Sequence, residues 1–203
     1  RRPPRSTLFP YTTLVRSSRA QWFDQTGLPW TNPSPNMRRL NAATLYPGIG
    51  LLETTTLSVG RGTDTPFEIV GAPYVDDRQL AAALNQLNLP GLRFVPVRFT
   101  PTASVYQGTN CAGVGLLLVD REACRPVEAG IALAQTLHRL YPREFNLDKV
   151  NVLLNHPPTI AAIKSGQTLA QMRELWRAAQ EEFQRRRAPD RKSTRLNSSH
   201  RIR

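Results

Sequence analysis

Hydrophobic side chains recur at helical spacing in two segments of the second half of the chain. Pro126, which the first turn of a helix tolerates, opens the first, and its apolar stripe is Val127, Ile131, Ala134, Leu137 and Leu140. Thr168 and Gln171 have the spacing of a capping box and open the second, whose stripe is Leu169, Met172, Trp176, Ala179 and Phe183. Positions three and four residues apart share one face of a helix, so both segments predict amphipathic helices, the second of about twenty residues.

Three shorter apolar segments predict strands in the middle of the chain. Residues 92–99 alternate apolar and basic side chains around Pro96, and this strand is expected at a sheet edge because proline cannot donate a ladder hydrogen bond. Residues 113–119 are apolar without interruption, which is typical of a central strand. Residues 67–70 alternate well enough for a third strand.

Two shorter helices complete the regular pattern. One is predicted over residues 78–87 with Asp76 or Asp77 as its cap, and the other over residues 159–164. The sequence therefore predicts an α+β (α/β) fold, a small mixed-sheet domain with packed helices.

The segment before these elements is predicted to be irregular over residues 20–50. Its turn-forming residues are too dense for regular structure: Gly27, Pro29, Pro33, Pro35, Pro47, Gly48 and Gly50. The β-branched run 54–56 favours extended backbone, and a tight loop is expected over residues 60–62.

The charge of the chain is concentrated at its ends. The 203 residues carry a net charge of +12, which taken alone suggests nucleic-acid binding. Residues 1–17 contain four arginines and no acid, and residues 190–203 contain five basic residues and one acid, which leaves 18 basic and 14 acidic residues between them. Both end segments resemble translated sequencing adapters, so we expect them to be adapter-derived and disordered and expect no nucleic-acid partner.

Several classes of site and topology are excluded by pattern. No run of about 18 apolar residues exists, so no membrane span is expected. Cys111 and Cys124 lack the spacing of a zinc site, and buried free thiols are favoured over a disulfide, which stays open. The glycine pair at residues 60–62 matches neither a phosphate loop nor a dinucleotide fingerprint, and no nucleophile elbow is present.

The densest group of polar side chains lies between residues 53 and 68. It combines Glu53, Glu68 and Arg61 with two glycines. A pair of carboxylates is what glycoside hydrolysis requires, and an arginine can bind a carboxylate through its planar fork. The alternative is a structural loop in which Arg61 pairs with Glu53 or Asp64, and the residue types alone leave both open.

Three long segments resemble consecutive blocks of one bacterial family, the NamZ-type exo-β-N-acetylmuramidases. They are WFDQTGLPWTNPSPNM, LYPGIGLLETTTLSVGRGTDTPFEIVGAPYVD and LPGLRFVPVRFTPTASVYQGTNCAGVGLLLVDR. The resemblance covers nearly all of residues 20–187. It differs at Thr56, where family members usually have asparagine.

The resemblance implies the C-terminal part of a two-domain enzyme. Residues 18–50 would end a Rossmann-like N-terminal part and connect it to a C-terminal α+β domain over residues 51–189, with the active-site cleft between the two parts. The first catalytic carboxylate would lie upstream, so this chain is expected to be inactive alone. The alternative is a non-catalytic glycan-binding or structural module of a cell-wall protein.

The resemblance also implies roles for individual residues. Glu53 would be the second carboxylate or a sugar-hydroxyl acceptor, and Arg61 would bind the lactyl carboxylate of N-acetylmuramic acid. Asn36 and Thr63 would bond hydroxyl or acetamido groups, and Glu68 would face the cleft. The implied partners are muramyl saccharides from peptidoglycan and the missing N-terminal domain. No metal or organic cofactor is implied, and the implied setting is periplasmic or secreted.

Overall fold

A computed structural model describes the backbone of residues 21–197 and the side chains of residues 21–188. The helices are α1 Leu40–Ile49, α2 Asp77–Gln86, α3 Pro126–Leu140, α4 Asn151–Leu154, α5 Pro157–Lys164 and α6 Leu169–Asn197. The strands are β1 Ile69–Ala72, β2 Leu92–Phe99 and β3 Cys111–Leu118. The α+β fold is therefore confirmed.

The three strands form one antiparallel sheet in the order β1-β3-β2. Ile69 lies opposite Gly115 in the first pairing, and Leu92 lies opposite Leu118 in the second. The apolar β3 is central and β2, with Pro96, is an edge strand, as predicted. The sheet is antiparallel throughout rather than mixed, because every neighbouring pair of its strands runs in opposite directions.

The core lies between the sheet and the helices. Helix α2 packs on β2 and β3, and α3 packs on both α2 and α1. Asp76 caps α2 by accepting a hydrogen bond from Gln79 N, as the sequence predicts. Leu80 and Leu84 of α2 and Leu133 of α3 are completely buried, and each buried leucine contributes about 1.5–3 kcal/mol to folding.

Helix α1 corrects the prediction that residues 20–50 are irregular. Its Leu45 and Ile49 lie in the core, each 1% exposed. Pro47 lies inside the helix, and Gly48 serves a helix crossing rather than a turn. A Cβ at Gly48 would stand 1.7 Å from the carbonyl oxygen of Pro126, so only glycine lets α1 approach α3 this closely.

Other local predictions also need correction. Residues 54–56 form turns, not extended backbone, because their hydroxyls bond carbonyl groups instead of leaving the backbone to pair in a sheet. The first strand starts two residues later than predicted. Helix α6 has 29 residues, longer than the predicted length of about twenty.

The remaining end segments, residues 1–17 and 198–203, lie outside the described residues. Among the residues described, no helix combines the length and the apolar composition that a membrane crossing requires.

Candidate functional site

The glycine loop, residues 60–68, directly precedes β1 and is closed tightly at its base. Ser58 and Gly71 exchange two backbone hydrogen bonds of 2.9 and 3.0 Å. Phe67 N donates to Val59 O at 2.8 Å, although Phe67 has a φ of +66°, which is uncommon for a bulky residue. Its ring is only 1% exposed. The loop is thus held at both ends, and Phe67 anchors it to the core.

Arg61 and Glu53 form an ion pair at the surface of this loop. Nη2 and Nε of Arg61 lie 2.7 and 3.2 Å from the same oxygen of Glu53, Oε1. The guanidinium stands 5.3 Å from the centre of the Phe67 ring, a cation–π distance. The Arg61 side chain is 34% exposed and that of Glu53 is 22% exposed. A solute can therefore reach the pair.

The contact with Glu53 uses one edge of the guanidinium. Arginine carries five N–H donors in a planar fork, and Nε and Nη2 form the edge that Glu53 occupies. No other residue in the described part of the chain bonds to Arg61. The edge formed by Nη1 and Nη2 therefore meets no hydrogen-bond acceptor among the described residues.

Glu68 is the more buried carboxylate of the loop. Its side chain is 13% exposed, and Arg39 Nε lies 3.1 Å from Oε1. That oxygen is buried and receives no aligned hydrogen bond from a described residue, so the contact with Arg39 is one of charge. Burial raises the pKa of the Glu68 carboxyl, while the charge of Arg39 and a hydrogen bond from Asn41 oppose the shift.

Asn36 lies in the segment just before α1, next to the glycine loop. Two arginines join the segments: Arg38 Nη1 donates to Asp64 Oδ1 at 3.1 Å, and Arg39 Nη2 donates to the Asp64 carbonyl at 3.2 Å. Asn36 itself is half-buried, and its side chain makes no hydrogen bond to another described residue. It is near the loop without touching Arg61 or Glu53 through a hydrogen bond.

The hydroxyl of Thr63 is used within the loop. It donates to Gly60 O at 2.6 Å and accepts a hydrogen bond from Thr65 N at 3.2 Å. Thr63 therefore shapes the turn that presents Arg61.

Of the five predicted site residues, only Glu53 and Arg61 are in direct contact. Thr63 and Glu68 lie in the loop that carries Arg61, and Asn36 lies in the segment that Arg38 and Arg39 join to this loop. Two cavities of the protein, of about 690 and 340 Å³, lie elsewhere, beside α3 and α5. Neither of these two cavities is lined by a predicted site residue.

Sequence reasoning missed the residues that hold this surface together. Arg38 and Arg39 tie the Asn36 segment to the loop, and Tyr46 packs edge-to-face on Phe67 at 4.8 Å. The adjacent arginines were a visible signal. The position of Tyr46 was not, because the sequence pattern gave no α1 on which to place it.

The cysteines and the remaining acidic groups give no metal site. Cys111 and Cys124 are both free, as favoured from the sequence, but only Cys111 is buried and Cys124 is partly exposed. In the part of the chain that the structure describes, no three His, Cys, Asp or Glu side chains are grouped to hold a metal ion.

Comparison with known proteins places these residues in a family. Residues 44–190 match the family model described as exo-β-N-acetylmuramidase NamZ, C-terminal. This range contains Glu53, Arg61, Thr63 and Glu68 but not Asn36. The chain is 46% identical over 123 residues to the peptidoglycan β-N-acetylmuramidase NamZ of Bacillus subtilis (strain 168), covering 61% of this chain and 30% of that protein.

Two crystal structures of DUF1343 family proteins from Bacteroides fragilis NCTC 9343 share the fold at 26% identity. The match to the first has a TM-score of 0.59 and covers 89% of this chain and 47% of the chain in that structure. The other has a TM-score of 0.56 and covers 78% and 42%. The chain thus spans less than half the length of each of these relatives.

Proposed function

The chain belongs to the NamZ exo-β-N-acetylmuramidase family, whose C-terminal part it matches, and from this premise we propose that it forms one wall of the substrate cleft of a peptidoglycan glycoside hydrolase. The proposed reaction of the whole protein removes N-acetylmuramic acid from the non-reducing end of a glycan chain. The family match supports the substrate class. The surface around Arg61 supports the location of the wall.

One observation carries the proposal: Arg61 is partly exposed and held in place, and its Nη1–Nη2 edge meets no acceptor among the described residues. Glu53 and the Phe67 ring hold the guanidinium in one orientation, so little side-chain entropy remains to be lost on binding. N-Acetylmuramic acid differs from other amino sugars of the cell wall by its lactyl carboxylate. A carboxylate on the Nη1–Nη2 edge would make two parallel charge-assisted hydrogen bonds.

The carboxylates of Glu53 and Glu68 would then have different tasks. Glu53 has its charge compensated by Arg61 and would accept hydrogen bonds from sugar hydroxyls or act as the second carboxylate of hydrolysis. Glu68 is more readily protonated because it is buried, and in that form it can also donate a hydrogen bond. Asn36 offers an amide for the acetamido group, and Thr63 fixes the turn that presents Arg61.

The first catalytic carboxylate would come from the N-terminal domain on the other side of the cleft. We propose that the segment before α1 leads out of that domain and that α1 belongs with residues 51–189 to the C-terminal one, because Leu45 and Ile49 lie in its core. Under this proposal the present chain binds the sugar without cleaving its glycosidic bond.

The test is calorimetric titration of the chain with N-acetylmuramic acid, with N-acetylglucosamine as the matched sugar without the lactyl group. We expect binding of the first sugar to be at least tenfold tighter. Arg61→Ala should abolish this preference, and Arg61→Lys should restore only part of it because lysine lacks the planar fork. Equal affinity for both sugars, or an Arg61→Ala variant that keeps the preference, would contradict the proposal.

The alternative is a structural module in which the Glu53–Arg61 pair only stabilises the loop. The pair's mutual contact favours this reading. Binding of neither sugar, together with a lower melting temperature of Arg61→Ala, would support it.

A further inference from the structure

A second loop covers the glycine loop from outside. It joins β2 to β3 over residues 100–110, and we call it the strap. Thr102 of the strap donates two hydrogen bonds to the carbonyl of Gly62, from its backbone N at 2.9 Å and from its hydroxyl at 2.8 Å. A Cβ on Gly62 would stand 2.4 Å from Ala103 N, so the two backbones are in direct contact.

The strap also reaches the turn that carries Glu53. The hydroxyl of Tyr106 donates to the carbonyl oxygen of Thr56 at 3.0 Å, and the hydroxyl of Tyr74 donates to the same oxygen at 2.9 Å. A carbonyl oxygen has two lone pairs, so the two phenols together saturate it. Thr56 follows Glu53 by three residues within one continuous turn.

The side chain of Thr56 fixes the same turn from the opposite direction. Its hydroxyl donates to the carbonyl of Glu144 at 2.6 Å and accepts from Asn146 N at 3.3 Å. The turn is therefore bonded through both its backbone and its side chain to three separate parts of the chain.

The strap holds two residues in an unfavourable backbone conformation. Ser104 has a φ of +71° and Tyr106 a φ of +62°, the left-handed region that residues other than glycine rarely adopt. Such conformations persist where the surroundings determine them and concentrate at functional sites. Here the loop is closed by its own bond from Gly108 N to Pro101 O at 2.8 Å, and the left-handed Tyr106 brings its hydroxyl to Thr56.

We propose that Tyr106 is a positioning residue, which holds the Thr56 turn from the strap and so keeps the Glu53 carboxylate on the Nε edge of Arg61. Thr102 holds the loop that carries Arg61, through its two hydrogen bonds to the carbonyl of Gly62. Both members of the ion pair are thereby set by one loop distant in sequence, before any ligand arrives. Only the consequence for sugar binding rests on the proposed function.

The proposal predicts a specific effect of removing one hydroxyl. In Tyr106→Phe the Thr56 carbonyl keeps its bond from Tyr74, so the fold remains, but the turn gains freedom. Glu53 then leaves Arg61 more often. The Nε–H of Arg61, protected by its bond to Glu53, should exchange with water at least about tenfold faster.

The experiment measures this exchange by ¹H–¹⁵N NMR of arginine side chains in the ligand-free chain. Tyr141→Phe is the matched control, because the Tyr141 ring packs on Tyr74 at 5.6 Å but its hydroxyl meets Asp76, not Thr56. Faster Arg61 exchange in Tyr106→Phe alone is the expected result. Unchanged exchange in Tyr106→Phe, or equal acceleration in Tyr141→Phe, would overturn the proposal.

A second variant keeps the test decisive if Tyr106→Phe does not fold. Thr102→Val removes the hydroxyl hydrogen bond to the Gly62 carbonyl and retains the backbone one. It should also accelerate exchange of the Arg61 Nε–H with water. An exchange rate equal to that of the wild type would contradict the role proposed for the strap. If the wild-type chain binds N-acetylmuramic acid, Tyr106→Phe should weaken that affinity about three- to tenfold. A wild-type chain that does not bind the sugar refutes the proposed function and leaves the exchange comparison valid.

Discussion

At the scale of single residues, the surroundings of Glu53 and of Glu68 set the chemistry of each carboxylate. Glu53 accepts an aligned hydrogen bond from the guanidinium of Arg61. Glu68 is more buried, and its Oε1 has no aligned donor among the described residues. Glu53 thus lies in an ion pair that solutes can reach, whereas burial drives Glu68 towards the neutral form.

Glu68 makes the stability of the protein pH-dependent. Its pKa is raised above the ordinary value of 4.5, chiefly by burial, so the folded state favours the protonated form. The stability this provides is present below pH 4.5 and is lost as the pH rises through the folded-state pKa. Glu68→Gln mimics the protonated group and should melt higher than wild type at pH 7, with the difference vanishing below pH 4.5.

The measurement is thermal unfolding between pH 3 and 8, with the exposed Glu181→Gln as control. The control should follow the wild-type curve. A Glu68→Gln protein that melts lower than wild type at pH 7 would mean that attraction to Arg39 outweighs burial.

Tyr74 makes the stability of the protein pH-dependent in the alkaline range. Burial raises the pKa of this phenol to about 12, so the stability it contributes is present below pH 10 and is lost between pH 10 and 12. Ultraviolet titration of the phenolates should show a late step near pH 12 that is missing in Tyr74→Phe. An unchanged late step in that variant would assign it to another tyrosine.

At the scale of elements, the sequence predicts most of the regular structure and little of what joins it at the site. Strands β2 and β3 and helices α2 and α3 follow from apolar spacing and a capping aspartate. Helix α1 does not, because the glycine and proline that suggest a turn are used where α1 crosses α3. The contact of the strap with the Thr56 turn is not predicted for another reason. Tyr106 and Thr56 are 50 residues apart, and no local pattern encodes their contact.

The packing of the strap on the glycine loop is testable with two glycines. Gly62 and Gly108 have φ values of +79° and +72°, so alanine strains both backbones equally. Only at Gly62 would the new Cβ clash, 2.4 Å from Ala103 N, since nothing lies within 4 Å at Gly108. In chemical denaturation, Gly62→Ala should lose at least about 2 kcal/mol more stability than Gly108→Ala. Equal losses would show that the two loops separate readily.

At the scale of the whole molecule, the high positive charge is a property of its ends. Residues 190–203 carry five basic residues and one acid, and they follow a stretch of α6 whose side chains are exposed from residue 177 to 188. We expect a chain of residues 18–189 to melt at the temperature of the full chain. Weak DNA binding by the full chain should fall steeply with salt and should be absent from the trimmed chain. Salt-sensitive binding that survives trimming would reinstate a nucleic-acid function.

The proposed function requires that the sugar acid binds at the partly exposed guanidinium of Arg61. Backbone amide NMR during titration with N-acetylmuramic acid tests this directly, because it locates the ligand without assuming a site. We predict shifts confined to the glycine loop, the Glu53 turn and the Asn36 segment. Shifts confined instead to the 690 Å³ cavity beside α3, lined by His138 and Gln167 among others, would contradict the account.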